Sequence, residues 1–477
     1  MRLLIVNHNS AWPKLGSDSA YNLSFEFAKY LDKYYPEWYV YLVVPELEKV
    51  TLRGDEGELI DKGKLFFLNV PKISEKPGST MWGGWDVGLM FEVLNREKVF
   101  VDSVLTNYIF GYPLLLIMLA KMGFGGVCPV MRPDWYHFFT SIKEYRDLVR
   151  RFLVSLAYDF PVVAHSKWCV EGGLGISLES DEANTILKWG IMYPPYDDEK
   201  IVKRDGPTDN DVPHIIFNHR NRPYTGYVEL LKAVKKIAER KIKVKINTTY
   251  SHSGGATGLR TFGAGGIDGL YAKYSDILSK VYYKKDEYYK SLPKYDAVIA
   301  WNQGTGGYWS ISLLEAVASG CYPLTHGKFF YKEILGENIP EYSIKADGIV
   351  EAVQFYVDNW EYCDKLARHY ARMVREKWSW DTQVHNWLNI VKKGMYDADV
   401  RPGTKWHRIL SNVDVVDFDT IISEFIGTKR PKTIGVGEKY QSMAQFSVYL
   451  RKMGFVDVGG RIPKFVRKGG SREWMIA

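Results

Sequence analysis

Three stretches of the sequence could handle protons or phosphate, two through their side chains and one through its backbone. The segment MRPDWYHF, residues 131–138, sets Arg132, Asp134 and His137 in close succession behind an apolar run. A carboxylate or an imidazole there could take the proton of a hydroxyl or hold the hydroxyl in place, and the guanidinium could meet a phosphate. Asp134 as a helix cap and His137 as a packed ring fit the same residues. The stretch FVDVGGRIPKFVRKGG, residues 455–470, places Arg461, Lys464, Arg467 and Lys468 on two short strand-like runs joined through Gly459 and Gly460, with Arg451 and Lys452 just ahead. Cations along such a ribbon neutralise the phosphates of a nucleic-acid backbone. The loop of residues 7–17, with Gly16 and Ser17 at its end, lies between an apolar strand and a helix start, where backbone N–H groups and the helix dipole attract an anion.

The elements that must position these groups follow from periodicity. Residues 3–6 and 39–44 read as strands around a helix over 19–34, whose Leu23, Phe27, Ala28 and Leu31 share one side. Further strands are predicted at 64–68, 101–105, 126–130 and 161–164, with helical stretches between them. A polar segment over 205–211 reads as a linker, after which the alternation resumes: strand 214–218, helix 227–240, strand 243–247. Two doubly wound α/β domains are expected, 1–200 and 201–377, followed by a helical stretch over 378–399 and an appendage over 400–477. The Gly-rich segment 251–269 fits no regular element and reads as a loop. In the appendage, short helices at 420–425 and 442–452 precede the basic ribbon; helix, glycine and ribbon together resemble a winged-helix module.

Charge is distributed unevenly. Residues 401–477 carry 14 Lys and Arg against 7 Asp and Glu, so the entire formal excess of +7 lies in this segment. Such an asymmetry points to a polyanionic partner for the appendage, against a solvated basic face. The aromatic share of 15% suits stacking on sugars or bases as well as large cores. Cys128, Cys169, Cys321 and Cys363 are scattered, without a CxxC pair, and read as buried thiols of a reducing compartment. The opening MRLLIVNHN turns polar too early for a secretory signal, and the apolar run 112–122 is too short for a bilayer span. A cytoplasmic protein without membrane contact is expected, and no obligate protein partner is evident.

Two stretches of the second half resemble retaining GT-B glycosyltransferases of the family-4 type. HRNRPYTG, residues 219–226, aligns without gaps to the family's G-R-L-x-x-x-K-G turn, in which the Arg and Lys hold the donor diphosphate. Arg220 falls on the Arg, Thr225 stands in place of the Lys, and Arg222 could supply the second cation. GYWSISLLEAVASGCYPLTHGKFFYKEIL, residues 307–335, resembles the family's E-G-F-G-L-P-L-L-E-A-M-A-x-G-x-P-V-V signature. There Glu315 matches the second Glu, which accepts hydrogen bonds from the ribose hydroxyls. Tyr308, Trp309 and Ser310 match the loop whose backbone N–H groups reach the diphosphate. Gly307 occupies the position of the first Glu, a departure that leaves stereochemistry and donor sugar open. The L-E-A-V, G-C-Y-P-L and Y-x-E-I runs are also similar to the queuosine tRNA mannosyltransferases. The opening strand, loop and helix resemble the family's N-terminal unit, which implies a donor contact for Ser17.

The resemblance implies a GT-B transferase that needs no metal and no cofactor beyond its nucleotide-sugar co-substrate, with UDP-glucose the default donor. Asp134 or His137 is then the candidate base or acceptor-positioning group, and Arg132 a phosphate contact. Joined to the basic appendage, this predicts a glycosyltransferase acting on nucleic acid. DNA bearing hydroxymethylpyrimidines is the first expectation, as in phage DNA-modifying glucosyltransferases. A base hydroxyl would be flipped out to react, with Trp135 and Tyr136 able to stack on it. Transfer to tRNA or a glycan is the alternative. A nucleic-acid-binding protein without transferase activity fits Gly307 and Thr225.

Overall fold

The computed structural model describes residues 1–7, 19–44, 54–70, 87–107, 129–132, 150–249 except 152, 155, 159 and 205, 266–304 and 309–396. It also describes positions 85, 115, 119 and 127 and three short strands after residue 400. The chain forms two compact units. The first comprises Met1–His165, Leu174–Met192 and Val384–Ala477; the second comprises Ser166–Gly173 and Tyr193–Gln383.

In the first unit β1 (Arg2–Val6) buries four consecutive apolar residues, the pattern of a parallel strand covered on both faces. Around it lie α1 (Ser19–Tyr34), β2 (Tyr39–Val44), α2 (Gly54–Asp61), β3 (Leu65–Asn69), α3 (Val87–Arg96), β4 (Ser103–Thr106) and β5 (Val130–Met131). The five strands form one parallel sheet in the order β3-β2-β1-β4-β5, with Leu4 registered against Tyr41 on one side and Val104 on the other. Of the predicted strand over 126–130, Val130 lies in β5 (Val130–Met131), and 126 and 128 lie outside the described residues. The predicted strand over 161–164 continues the sheet only as single bridges, Met131 to Val162 and Ala164 to Ile191. Helix α4 (Asp181–Leu187) follows, its Ser180 side chain accepting from the Ala183 N–H.

The second unit repeats this scheme. It contains β6 (His214–Phe217), α5 (Tyr227–Glu239), β7 (Lys245–Thr249), α6 (Gly266–Lys273), β8 (Leu278–Val281), α7 (Lys285–Ser291), β9 (Ala297–Ala300), α8 (Ile311–Ala318), β10 (Tyr322–Thr325), α9 (Phe330–Leu335), α10 (Ala346–Asp358) and α11 (Trp360–Trp378). Helix α5 buries Tyr227, Leu230, Leu231, Val234 and Ile237 on one stripe, as its 3.6-residue period requires. Parallel strands in the order β10-β9-β6-β7-β8 give this sheet the same winding as the first. The seventh strand lies two residues later than its apolar run suggested, because pairing starts where Lys245 meets His214. The helix expected from Trp378 is interrupted there: Trp378 ends α11, Ser379 is extended and paired with Tyr196, and α12 (Trp380–Tyr396) begins behind it.

Beyond residue 400 three short strands, β11 (Val415–Asp417), β12 (Phe455–Asp457) and β13 (Lys464–Arg467), form an antiparallel sheet in the order β11-β13-β12. The basic ribbon is thus a paired hairpin, Phe455 facing Arg467 and Asp457 facing Phe465. The helices expected at 420–425 and 442–452 lie outside the described residues, so no winged helix is assigned. Among the described residues, no helix is long and apolar enough to cross a membrane.

Candidate functional site

In the second unit the chain leaves β6 toward β7 on one side and returns through β9 on the other. The carboxyl ends of β6 and β9 thus form a topological switch point, the place where open α/β sheets offer a ligand crevice. The HRNRPYTG turn fills the β6 side. Its backbone is held by Thr225, whose hydroxyl lies 2.6 Å from the Arg220 carbonyl and 2.7 Å from that of Arg222. Gly226 closes the turn at φ 84°, where a Cβ would stand 2.1 Å from the Trp301 carbonyl oxygen. Only glycine fits this left-handed, close-packed position. The Gln303 N–H also donates to the Tyr224 carbonyl, tying the turn to the end of β9. Arg220 is exposed at the apex and Arg222 is half-buried, two guanidinium groups on one pinned loop.

The other wall is the N-terminus of α8. Ser310 caps it, accepting from the Leu313 N–H at 3.1 Å, and Leu313, Leu314, Ala316, Val317 and Ala318 are buried. Asn218 and His219 reach this helix from the end of β6. Asn218 Nδ2 donates to the Ser312 carbonyl at 2.7 Å, and Ser312 Oγ lies 3.0 Å from His219 Nδ1. Burial pushes the His219 pKa down to about 4, so the ring is neutral at physiological pH. His219 Nε2, Asn218 Oδ1 and Asn221 Oδ1 are buried and find no partner among the described residues. Buried polar atoms are rarely left so, and three on one turn make this turn a candidate ligand-binding position.

Glu315 stands one turn into α8, half-buried. Tyr288 donates to its Oε2 at 3.0 Å and Tyr289 to its Oε1 at 3.2 Å, both from α7. Asn218 Nδ2 also donates to the Tyr288 hydroxyl at 2.8 Å, so the β6 turn, α7 and α8 share one network.

A second constellation lies at the end of β10. His326 Nε2 donates to the Asn302 carbonyl at 2.7 Å and its Nδ1 accepts from the Lys328 N–H at 3.1 Å, which fixes the neutral tautomer. Burial lowers its pKa to about 4 as well. Phe329 follows at φ 63°, a backbone region that costs a side-chain-bearing residue about 1–3 kcal/mol. Its ring covers Trp168, 4.5 Å between centroids. Glu333 accepts from the backbone N–H groups of Lys167 and Trp168 at 2.9 and 2.7 Å, and its burial raises its pKa.

Of the residues singled out by sequence, Arg220, Arg222, Thr225, Ser310 and Glu315 all belong to this crevice in the second unit. Thr225 serves the turn's backbone. The Trp309 side chain packs away into the core, donating to the Pro194 carbonyl at 2.8 Å and lying against Tyr193 and Trp378. In the first unit Arg132 is 4% exposed, donates from Nε to the Met192 carbonyl and lies 4.9 Å over the Trp387 ring. Lys464 and Arg467 mark the two ends of β13. Ser17, Asp134, His137, Gly307, Tyr308, Arg451, Lys452, Arg461 and Lys468 lie outside the described residues, as does most of the Gly-rich segment. Sequence reasoning passed over Ser312, Tyr288 and Tyr289. A Tyr-Tyr pair inside the charged helix KDEYYKS was the one available signal. Among the described residues no group of three or more His, Cys, Asp or Glu is placed to hold a metal ion.

No family model matches the chain, and no curated protein matches it in sequence. Solved structures do match in shape. A glycosyltransferase from Rickettsia africae ESF-5 superposes with a TM-score of 0.56 at 14% identity, over 83% of this chain and 98% of that one. Sucrose-phosphate synthase from Thermosynechococcus elongatus gives 0.55 at 13% identity, over 82% and 98%. Anabaena HepE in complex with UDP-glucose gives 0.53 at 10% identity, over 82% and 99%. At such identities the likeness is one of fold: two parallel-sheet α/β domains of the GT-B type.

Proposed function

We propose that this chain is a glycosyltransferase that binds a nucleoside-diphosphate sugar in its second unit and transfers the hexose to a hydroxyl of a nucleic acid. The observation that carries the reading is the joining of two functional halves at one crevice. The Arg220 turn meets the Glu315 helix through Asn218, His219 and Ser312. Arg220 and Arg222 supply charge for a diphosphate, the α8 N-terminus supplies backbone N–H groups, and Glu315 supplies the acceptor that a ribose diol needs. Catalysis then consists of neutralising the departing diphosphate while the acceptor hydroxyl attacks the sugar carbon. That HepE was captured with UDP-glucose supports a uridine donor, with glucose as the first sugar to try.

The acceptor follows from charge. The excess of +7 lies wholly after residue 400, where the basic hairpin strand β13 carries Lys464 and Arg467 at its ends. Such a segment holds a phosphate backbone, and DNA bearing hydroxymethylpyrimidine supplies a base hydroxyl. Asp134 or His137 would take or orient its proton.

The test offers UDP- and GDP-sugars with hydroxymethylated DNA, unmodified DNA and tRNA, and reads nucleoside masses. A hexose increment on hydroxymethylpyrimidine is expected, with transfer to polymeric DNA dropping at least tenfold at physiological salt when residues 400–477 are removed. An increment on tRNA alone would replace the acceptor. No transfer and no donor hydrolysis, together with tight nucleic-acid binding, would leave a binding protein.

A further inference from the structure

We propose that Tyr288 and Tyr289 are positioning residues that fix the Glu315 carboxylate for the ribose hydroxyls of the nucleotide, an inference that rests on the donor reading above.

The direction of every hydrogen in the network supports it. Asn218 Nδ2 carries two protons, one given to the Ser312 carbonyl and one to the Tyr288 hydroxyl oxygen. The single Tyr288 proton therefore goes to Glu315 Oε2, and that of Tyr289 goes to Oε1. Burial, then the neighbouring Glu315 charge, holds the Tyr288 pKa well above the ordinary range, so it stays a donor at any working pH. Both phenols come from consecutive residues of α7, their rings 5.1 Å apart, and they grip the carboxylate by one oxygen each. A carboxylate has about four acceptor positions, and this grip takes one on each oxygen, which sets the plane and rotamer of the group.

Two further features make this a recognition device. Glu315 is only half-buried on a helix whose neighbouring side chains are mostly buried, so it stands on the open side of α8. The amide orientation that feeds Tyr288 also leaves Asn218 Oδ1 buried and without a partner among the described residues. An unpartnered acceptor and an acceptor-only carboxylate in one network call for a ligand rich in hydroxyl donors, which is what a ribose diol offers and a diphosphate does not. A carboxylate already held in one rotamer binds that diol without paying for its own ordering.

Calorimetric titration of UDP and of 2′,3′-dideoxy-UDP against wild type, Tyr288→Phe and Tyr289→Phe tests the idea. The wild type should bind the dideoxy nucleotide about tenfold more weakly than UDP, the effect of hydrogen bonds to a charged group. Tyr288→Phe should weaken UDP about five- to tenfold and leave dideoxy-UDP within twofold, with KM for the donor rising and kcat nearly constant. Equal weakening of both nucleotides, or no change in either, would overturn the positioning role and leave the donor reading intact. Tyr289→Phe takes one bond from Glu315 and none from Asn218, and it separates the same two outcomes should Tyr288→Phe fail to fold. A wild type that binds neither UDP nor GDP would overturn the donor reading and this inference with it.

Discussion

Two histidines of the second unit, His219 after β6 and His326 after β10, invite comparison. Both follow a buried strand of one parallel sheet, both are neutral, and burial lowers both to about 4. Each turn also closes with a left-handed glycine packed against a carbonyl: Gly226 on Trp301, and Gly327 on Pro340, where a Cβ would come within 2.2 Å of the oxygen. The difference lies in the ring nitrogens. His326 has both occupied by its own backbone, at Asn302 and Lys328. His219 has one nitrogen on Ser312 and the other buried without a partner among the described residues. Burial and a shifted pKa are thus shared by a residue that completes the fold and one that awaits something else. Unspent hydrogen-bonding capacity separates them.

The strongest way to test the comparison acts on what the two turns share. Gly226→Ala and Gly327→Ala should each cost about 3 kcal/mol or more, since each adds a Cβ both to a left-handed backbone and onto a carbonyl. Urea unfolding of the two variants should give similar losses. A harmless Gly226→Ala would show that the HRNRPYTG turn is not pinned as described.

Acting on what differs should split the turns. His326→Ala abandons two buried backbone partners and leaves a cavity, for a loss of about 2–4 kcal/mol with UDP affinity unchanged in the folded fraction. His219→Ala removes one bond to Ser312, for about 1 kcal/mol, and should weaken UDP. Equal stability losses, with wild-type nucleotide affinity in both, would erase the distinction.

The pH response is the finest test. A histidine whose folded pKa lies below its unfolded value of about 6.5 binds fewer protons in the native state across that window. The second unit should hold full stability above about pH 6.5 and lose it as pH falls toward 4, on the order of 3 kcal/mol for each ring at most. Denaturation at pH 7.5 and 4.5 measures the loss, and His326→Gln should remove its own share of it. A stability flat between these values would show that the rings are not desolvated.

Much of this was legible in the sequence. Apolar runs of four or five residues set the parallel strands, and the 3.6-residue stripe set α5, because both signals are local. Arg220 and Glu315 stood out through the resemblance to short glycosyltransferase motifs, each confined to one turn or helix. The limits of the seventh strand were less legible, since pairing with His214 decides them rather than the apolar run itself. The exchange of residues 166–173 into the second unit had no sequence mark, because the bonds that hold it come from Glu333, 165 positions away.

What the sequence determined by itself was the class of fold, the repeat of one strand–helix alternation in two halves, and the charge that separates the appendage from both. What only the tertiary structure decided was which side chains share the crevice. Asn218 meets Ser312 across 94 positions and Tyr288 across 70, and Tyr288 meets Glu315 across 27. No periodicity spans such distances. They close only when β6, α7 and α8 come together around one parallel sheet, and the hydrogen bonds that give Glu315 its orientation exist only once that sheet has formed.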